Sequence, residues 1–350
     1  MITGKISPCH DSGWASPIRL VGKKDGGLRI TVDYYVLNKH TEAIAYPLPR
    51  IDVIFVYLAD AYFFSILDLR SAFYQIELDK DSRKCTAFIC HRGSFQWNVM
   101  PQGATNATET LQRCVDKIFK YLSHNILDAY VDDIIIYSKT LEEHEKDVKN
   151  VVDIMIENIL KIRLDKCRIP ETKIEYLSHV MEHGIIHPNP KKVRDLLKYQ
   201  PPLTHKQTHA LIGKATYYKK FIEHFAEIAA PLYAFLKIGS KTKWNNSMTN
   251  AVKTLQNKLT SDPILILSKF EEPFRVETDA SGYGIGGVLS QQSLINQKLE
   301  WLQCAYFSKK LNNGEPNYSA TEKELFAIVK SVEYFRQFLF GINFKEITDH

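Results

Sequence analysis

Between Ile126 and Tyr137 two apolar arms flank a polar tip: ILDA, then Tyr130-Val131-Asp132-Asp133, then IIIY. Short apolar runs meeting at turn residues predict a pair of strands. Arms this hydrophobic put the hairpin inside a core, and that creates an electrostatic problem at its tip. Adjacent carboxylates repel each other, and each loses hydration unless a counter-charge replaces it. Divalent cations remove both costs, and hard oxygen donors suit Mg2+. A solvent-facing Asp-Asp turn is the ordinary alternative, because turns recruit Asp; the apolar arms on both sides argue against it.

A second run, Phe63 to Leu67, is equally apolar and ends at Asp68. It predicts a buried strand leading into a short helix. If this strand lies beside the Asp132-Asp133 hairpin, three carboxylates converge. Such a set holds two metal ions ~3.5–4 Å apart, the arrangement used for in-line displacement at phosphorus.

The remaining organisation is mixed. VGKKDGGLRITVDY predicts a hairpin around Asp25-Gly26-Gly27. From Asn106 the spacing of Leu111, Cys114, Val115, Ile118 and Leu122 predicts a helix capped by Asn106. Thr140 with Glu143 predicts a capping box for a helix whose inner face carries Leu141, Val148, Val152, Met155 and Ile159. Residues 203–236 predict two helices, and Pro263 ends a third. From Phe274 the order is strand, strand, strand, helix, strand.

Composition bounds the class. A chain of 350 residues with 45% hydrophobic and 24% charged residues predicts two or three globular domains. The longest apolar stretch, Val53 to Leu67, is broken by Asp60 and is short of the ~20 residues of a membrane span. Six scattered cysteines without a CxxC pair speak for reduced thiols and against structural zinc. Lys plus Arg exceed Asp plus Glu by only 45 to 40. The basic residues nevertheless cluster: Lys191, Lys192, Arg194, Lys198, Lys206, Lys214, Lys219 and Lys220 share their stretch with one acid, Asp195. Such a run either follows a phosphate backbone or forms a solvated helix face.

Taken together, SGWASPIRLVGKKDGGLRITVDYYVLNKHT, YPLPRID, FSILDLRSAFYQIEL, CTAFICHRGSFQWNVMPQG, NATETLQR and YVDDIIIYSKTLEEH resemble the reverse transcriptase of gypsy-type LTR retrotransposons. KIEYLSHV resembles that family's primer-gripping strand pair, and HKQTHALIGKATYYKKFIEHFAEIAAPLYAFLK its thumb and connection. FRVETDASGYGIGGVLSQ, NYSATEKELFAIV and ITDH resemble its ribonuclease H domain. The motifs occur in order over nearly the whole chain.

The resemblance implies an α+β right-hand polymerase with fingers, palm and thumb, then a connection and a truncated α/β ribonuclease H-like domain. The expected divisions are 1–185 (fingers and palm), 186–272 (thumb and connection) and 273–350 (ribonuclease H-like). It implies metal ligation by Asp68, Asp132, Asp133 and the Leu69 carbonyl, with two Mg2+ per active site, or Mn2+ in their place. Lys23 and Arg29 match the contacts to an incoming triphosphate. Phe73 matches the residue that excludes a 2′-OH, Gln102 a contact to the nucleotide sugar, and Lys166 a lysine assigned to protonating pyrophosphate. Asp279, Glu324 and Asp349 match three ribonuclease H carboxylates; Asp279 is expected as a buried acid within its strand. Lys191, Lys192, Arg194, Lys198, Lys214, Lys219 and Lys220 are expected to contact nucleic acid. The implied partners are an RNA or DNA template with its primer and dNTPs, with no membrane, inside the cell and mainly in the cytoplasm. A nucleic-acid-binding remnant without activity and an unrelated two-metal nuclease or phosphatase are the competing readings. The chain departs from the family pattern at Tyr35, where Arg is usual, in Gln102 to Thr108, where Phe-Gly-Leu-x-Asn-Ala-Pro is usual, and at Ser178, where Gly is usual.

Overall fold

The two apolar arms of the run from Ile126 to Tyr137 are realised as two antiparallel strands in the first of two compact units. In the computed structural model the described residues are 4–348, except 23–25, 27, 238–241, 262, 296–297 and 313. Contacts divide the chain into Met1–Arg50 with Phe63–Glu171, and Ile51–Tyr62 with Thr172–His350.

The first unit holds strands β1 (Ile6–Pro8), β2 (Ser16–Gly22), β3 (Leu28–Val32), β4 (Phe63–Asp68), β5 (Phe88–Cys90), β6 (Gly93–Trp97), β7 (Leu127–Tyr130), β8 (Asp133–Ser138) and β9 (Arg168–Glu171). Its helices are α1 (Tyr35–His40), α3 (Lys80–Arg83), α4 (Ala107–Ile118) and α5 (Leu141–Glu157); α2 (Ile51–Tyr57) belongs to the second unit. One sheet runs β1-β6-β5-β2-β3, the other β7-β8-β4-β9. The arms of the VGKKDGGLRITVDY hairpin pair antiparallel, Ile18 opposite Val32, while most of its tip lies outside the described residues.

The β7-β8-β4-β9 sheet is packed by α4 and α5. Leu67, Leu111, Val115, Phe119, Leu127, Ile134, Ile136, Val151 and Met155 form its buried core. The capping box at Thr140 and Glu143 forms as expected. The inner face of α5 differs from expectation. Leu141 and Ile159 are exposed; Met155 is buried as expected and Val148 packs against the core, but His144 and Val151 complete the buried face. The helix is turned by its one buried polar residue. His144 Nε2 lies 2.7 Å from Ser65 Oγ on β4, and Nδ1 lies 3.0 Å from Ser138 Oγ on β8.

Asn106 does not cap α4 with its side chain. Its amide nitrogen donates to the Glu42 carbonyl at 2.8 Å, and its oxygen accepts from the Ile44 amide at 3.0 Å. Two long-range bonds replace the one local cap.

The second unit contains the sheet β10 (Lys173–Tyr176), β11 (His179–Glu182), β12 (Ile185–Pro188) and β13 (Leu265–Ile266), in that spatial order. Helices α6 (Pro190–Arg194), α7 (His205–Tyr217), α8 (Phe225–Leu236) and α9 (Asn246–Thr260) follow β12 in the chain. The last sheet uses β14 (Phe274–Ala280), β15 (Gly284–Ile295), β16 (Lys298–Lys310) and β17 (Phe344–Ile347) in the order β16-β15-β14-β17, with α10 (Ala320–Leu339). Its core joins Phe274, Val276, Leu289, Phe335 and Phe338. Gly287 is required there, because a Cβ would collide with the Ser331 side chain of α10. Among the described residues no helix is long and apolar enough to cross a membrane.

Candidate active site

Strand pairing brings two of the three expected carboxylates, Asp68 and Asp133, opposite each other, with Asp132 preceding Asp133 at the hairpin tip. β4 and β8 run antiparallel in a register that sets Asp68 directly opposite Asp133, and Tyr130 faces Asp133 across β7 and β8. Residues directly opposite in a sheet present their side chains on one face. Immediately after Asp68, the Leu69 amide donates to the Asp132 carbonyl at 3.2 Å, which ties the end of β4 to the hairpin tip.

The electrostatics carry the cost foreseen from the sequence. Burial pushes the Asp133 carboxyl up to about 6, and the charges of Asp132 and then Asp68 add to that. Asp132 is also raised, first by burial and then by Asp68. Lys166 works the other way on both, and its Nζ donates to Asp68 Oδ2 at 3.1 Å. The Lys166 ammonium therefore faces this group of carboxylates. Among the described residues no group of three or more His, Cys, Asp or Glu is gathered tightly enough to enclose an ion. The donors still fit a divalent cation in kind: hard oxygens, half-buried, and raised by burial and then by mutual repulsion.

The turn that presents Asp132 is strained and held. Val131 adopts φ of 59°, a conformation unfavourable for a β-branched side chain. Gln112, fully buried on α4, accepts from the Val131 amide at 2.7 Å. Its own amide donates to the Ala129 carbonyl at 3.1 Å and to Asp116 Oδ1 at 2.8 Å. Gln112 escaped the sequence reading. The available signal was a polar residue on the otherwise apolar face of that helix.

The other nucleotide-binding candidates divide. Phe73 lies in the 3-10 turn Ala72–Gln75 beyond Asp68, at the rim of the same core. Gln102 sits in a loop clamped by Asn38: its side-chain nitrogen donates to the Gly103 carbonyl at 2.9 Å, and its oxygen accepts from the Thr105 amide at 3.0 Å. The Arg29 backbone lies in β3 opposite Val21. Lys23 lies outside the described residues.

In the second unit two expectations need correction. Asp279 is exposed, one residue from the end of β14; Phe274, Val276 and Thr278 take the inward positions of the alternation. Lys220, expected on nucleic acid, is turned inward. Its Nζ donates to Asp52 Oδ1 at 2.8 Å and lies 4.6 Å from the Phe55 ring centroid. Glu324 is half-buried near the start of α10 and accepts from Thr348 Oγ1 at 3.3 Å. Asp349 lies outside the described residues. Lys191 pairs with Glu175 and Lys198 with Asp195, whereas Lys192, Arg194 and Lys214 are exposed. Lys219 lies 5.0 Å from the Tyr334 ring centroid.

Residues 21–181 match the family described as reverse transcriptase (RNA-dependent DNA polymerase). Residues 244–346 match the RNase H-like domain found in reverse transcriptase. The chain is 36% identical over 351 residues to the retrovirus-related Pol polyprotein from transposon 297 of Drosophila melanogaster, a match covering 100% of this chain and 32% of that relative. It is 33% identical over 339 residues to the transposon Tf2-3 polyprotein of Schizosaccharomyces pombe, covering 96% and 25%. The chain thus spans about a third or less of the length of these curated relatives. Among solved structures, the foamy viral protease-reverse transcriptase dRH in complex with ds DNA is similar with a TM-score of 0.88 at 23% identity, over 99% of this chain and 60% of that one. The foamy viral protease-reverse transcriptase in complex with RNA/DNA hybrid gives 0.84 at 23% identity, over 99% and 46%. This likeness shows the fold: an α+β right-hand polymerase carrying an RNase H-like domain.

Proposed function

Since the chain belongs to the reverse transcriptase family of gypsy-type LTR retrotransposons, we propose that it is an RNA-directed DNA polymerase that extends a primer 3′-OH with dNTPs. The observation that carries this reading is the register that sets Asp68 opposite Asp133 at the tip of a buried hairpin. Fingers and palm are assigned to 1–185, thumb and connection to 186–272, and the ribonuclease H-like domain to 273–350. An RNA or DNA template with its primer is the partner, inside the cell.

Asp68, Asp132, Asp133 and the Leu69 carbonyl would hold two divalent cations, Mg2+ or Mn2+. When bound, these supply charge stabilisation at phosphorus and ease deprotonation of the attacking hydroxyl. The chain's own residues do the rest. Lys166 carries the positive charge at Asp68 and stands ready to give a proton to the leaving pyrophosphate. Lys23 and Arg29 on the fingers hairpin bind the triphosphate, Arg29 by its two-pronged fork. Phe73, at the core rim, leaves no room for a 2′-OH, and Gln102 borders the sugar. Exposed Lys192, Arg194 and Lys214 bind backbone phosphates without reading sequence.

Primer extension tests the proposal. On a poly(rA) template primed with oligo(dT), the chain incorporates dTTP in the presence of Mg2+ or Mn2+, and Asp132→Asn abolishes incorporation. A folded chain that binds the hybrid in a salt-dependent way yet never incorporates dTTP refutes it.

A further inference from the structure

Directly beyond Asp68 the chain pairs with residues 161–163. Arg163 donates its amide to the Asp68 carbonyl at 2.8 Å, Leu69 bridges Ile162 antiparallel, and Arg70 donates its amide to the Lys161 carbonyl at 2.8 Å. Arg70 and Lys161 are therefore cross-strand neighbours, a position where like charges destabilise. Gln75 locks the arrangement. Its side-chain nitrogen donates to the carbonyls of Arg70 at 3.0 Å and Lys161 at 2.9 Å, and its oxygen accepts from the Lys161 amide at 2.7 Å.

The neighbouring residue Tyr74 brings a third cation. Its ring stacks on Trp97 with centroids 5.0 Å apart, and Lys5 Nζ lies 4.8 Å from the Tyr74 centroid. The Lys5 backbone is fixed too, its carbonyl accepting from the Asn98 amide at 2.8 Å. The Lys5 ammonium is held below its ordinary range, first by burial and then by the charges of Arg70 and Lys161.

Cations nearby on the same segment are neutralised: Arg163 pairs with Asp165 and Lys166 with Asp68. Among the described residues Lys5, Arg70 and Lys161 have no carboxylate partner. Backbone bonds hold Arg70 beside Lys161, and Lys5 is held over the adjoining Tyr74 ring, so three cations without a carboxylate repel one another, a cost that an anion offsets.

We propose that Lys5, Arg70 and Lys161 form a binding site for an oligophosphate, either inorganic pyrophosphate or the phosphate tail of a nucleoside triphosphate. Three compact positive charges match such an anion. A nucleic-acid strand instead spreads one charge per ~3.4 Å of its axis. Arg70 grips two oxygens at once, and the lysines act as point charges. Because Arg70 follows Asp68 by two residues, the site lies beside the carboxylates. That its occupant is a product or substrate of the same centre rests on the polymerase reading; the site itself rests on geometry.

Calorimetric titration of the full chain in EDTA separates the two. Inorganic pyrophosphate, dTTP and a single-stranded oligonucleotide are titrated into the wild type, Lys161→Gln and Lys5→Gln. The expected result is pyrophosphate affinity weakened ~10-fold or more in each variant, with melting temperature kept or raised as repulsion is relieved. Parallel loss for dTTP assigns the site to the nucleotide tail as well, and an unchanged dTTP affinity assigns it to pyrophosphate alone. Pyrophosphate affinity unchanged in both variants overturns the proposal, as does loss confined to the oligonucleotide. The readout is binding without turnover, so an inactive chain that still shows the pyrophosphate effect defeats only the polymerase reading.

Discussion

Asp68 and Asp133 face each other across the β4–β8 pair, so two carboxyls leave one face of a sheet packed on a largely hydrocarbon core. The arrangement trades stability for function. Asp133→Asn removes the carboxyl that burial and its neighbours push up to about 6. In metal-free buffer at pH 8, urea unfolding should show a gain of order 1 kcal/mol, discounted for the partial solvation of the group. Primer extension by the same variant should fall ~10²-fold or more. A variant that is less stable and still active removes Asp133 from the site.

Gln112 supplies the restraint that keeps Val131 at positive φ. Gln112→Leu leaves the Val131 amide without its acceptor, a loss of about 2–3 kcal/mol. Extension should drop with it, because Asp132 follows directly. Val131→Gly relieves the backbone strain of about 1–2 kcal/mol and should recover part of the stability in the double variant. Strictly additive effects in that cycle would show that the two residues are not coupled.

The His144 network fixes the register on which the site depends. Ser138 Oγ donates to Asp147 Oδ2 at 2.6 Å. Its oxygen is then left to accept from His144 Nδ1, so Nε2 accepts from the Ser65 hydroxyl. Ser65 and Ser138 lie on the two strands that carry Asp68 and Asp133. His144→Leu keeps the volume, leaves the Ser65 hydroxyl without its acceptor while Ser138 keeps Asp147, and should cost about 1–2 kcal/mol. Hydrogen exchange of the β4 and β8 amides should speed up selectively. Uniform acceleration across the first unit would contradict a register-setting role.

These contacts also mark where sequence reasoning stops. The Asp132-Asp133 hairpin is legible because apolar arms and a polar tip are local signals, and so is the Thr140–Glu143 capping box. Leu141 and Ile159 were expected inside and His144 was passed over, because a histidine is ordinary surface until its partners, Ser65 and Ser138, are known. Asn106 looked like a cap, but bonds to Glu42 and Ile44 outcompete the local one. Lys220 sat in a basic run that a linear count cannot sort. Only the fold shows that it turns onto Asp52 while Lys192 and Arg194 stay exposed.

Ser178 occupies a left-handed position with φ of 61°, next to Leu177 at 44°. The turn is fastened by Tyr217 Oη donating to the Leu177 carbonyl at 2.7 Å and Tyr218 Oη to the Ser178 carbonyl at 2.9 Å. Glycine adopts this conformation without a Cβ penalty, which accounts for the family's usual residue here. Ser178→Gly should stabilise the chain by about 0.5–1 kcal/mol in thermal or urea unfolding. Destabilisation would mean that the turn's strain is already relieved elsewhere.

His179 provides the pH-dependent test of the second unit. Its ring is enclosed by Phe55, Tyr217, Tyr218 and Phe221, its Nδ1 lies 2.7 Å from the Leu177 carbonyl, and its Nε2 has no hydrogen-bond partner among the described residues. Burial drives it down to about 3, the nearby Lys220 adds to that, and the Leu177 carbonyl and Asp52 oppose it weakly. The folded form thus keeps His179 neutral while the unfolded chain protonates it near 6.5. Below that pH the unfolded state binds more protons, so stability is full above about 6.5 and falls progressively toward pH 3. The upper bound of the loss is about 4–5 kcal/mol. His179→Phe fits the aromatic enclosure and gives up one hydrogen bond. It should lower stability at pH 8 by about 1 kcal/mol and flatten the dependence between pH 6.5 and 4. A variant whose unfolding free energy falls with pH as steeply as the wild type would show that another group titrates in this range.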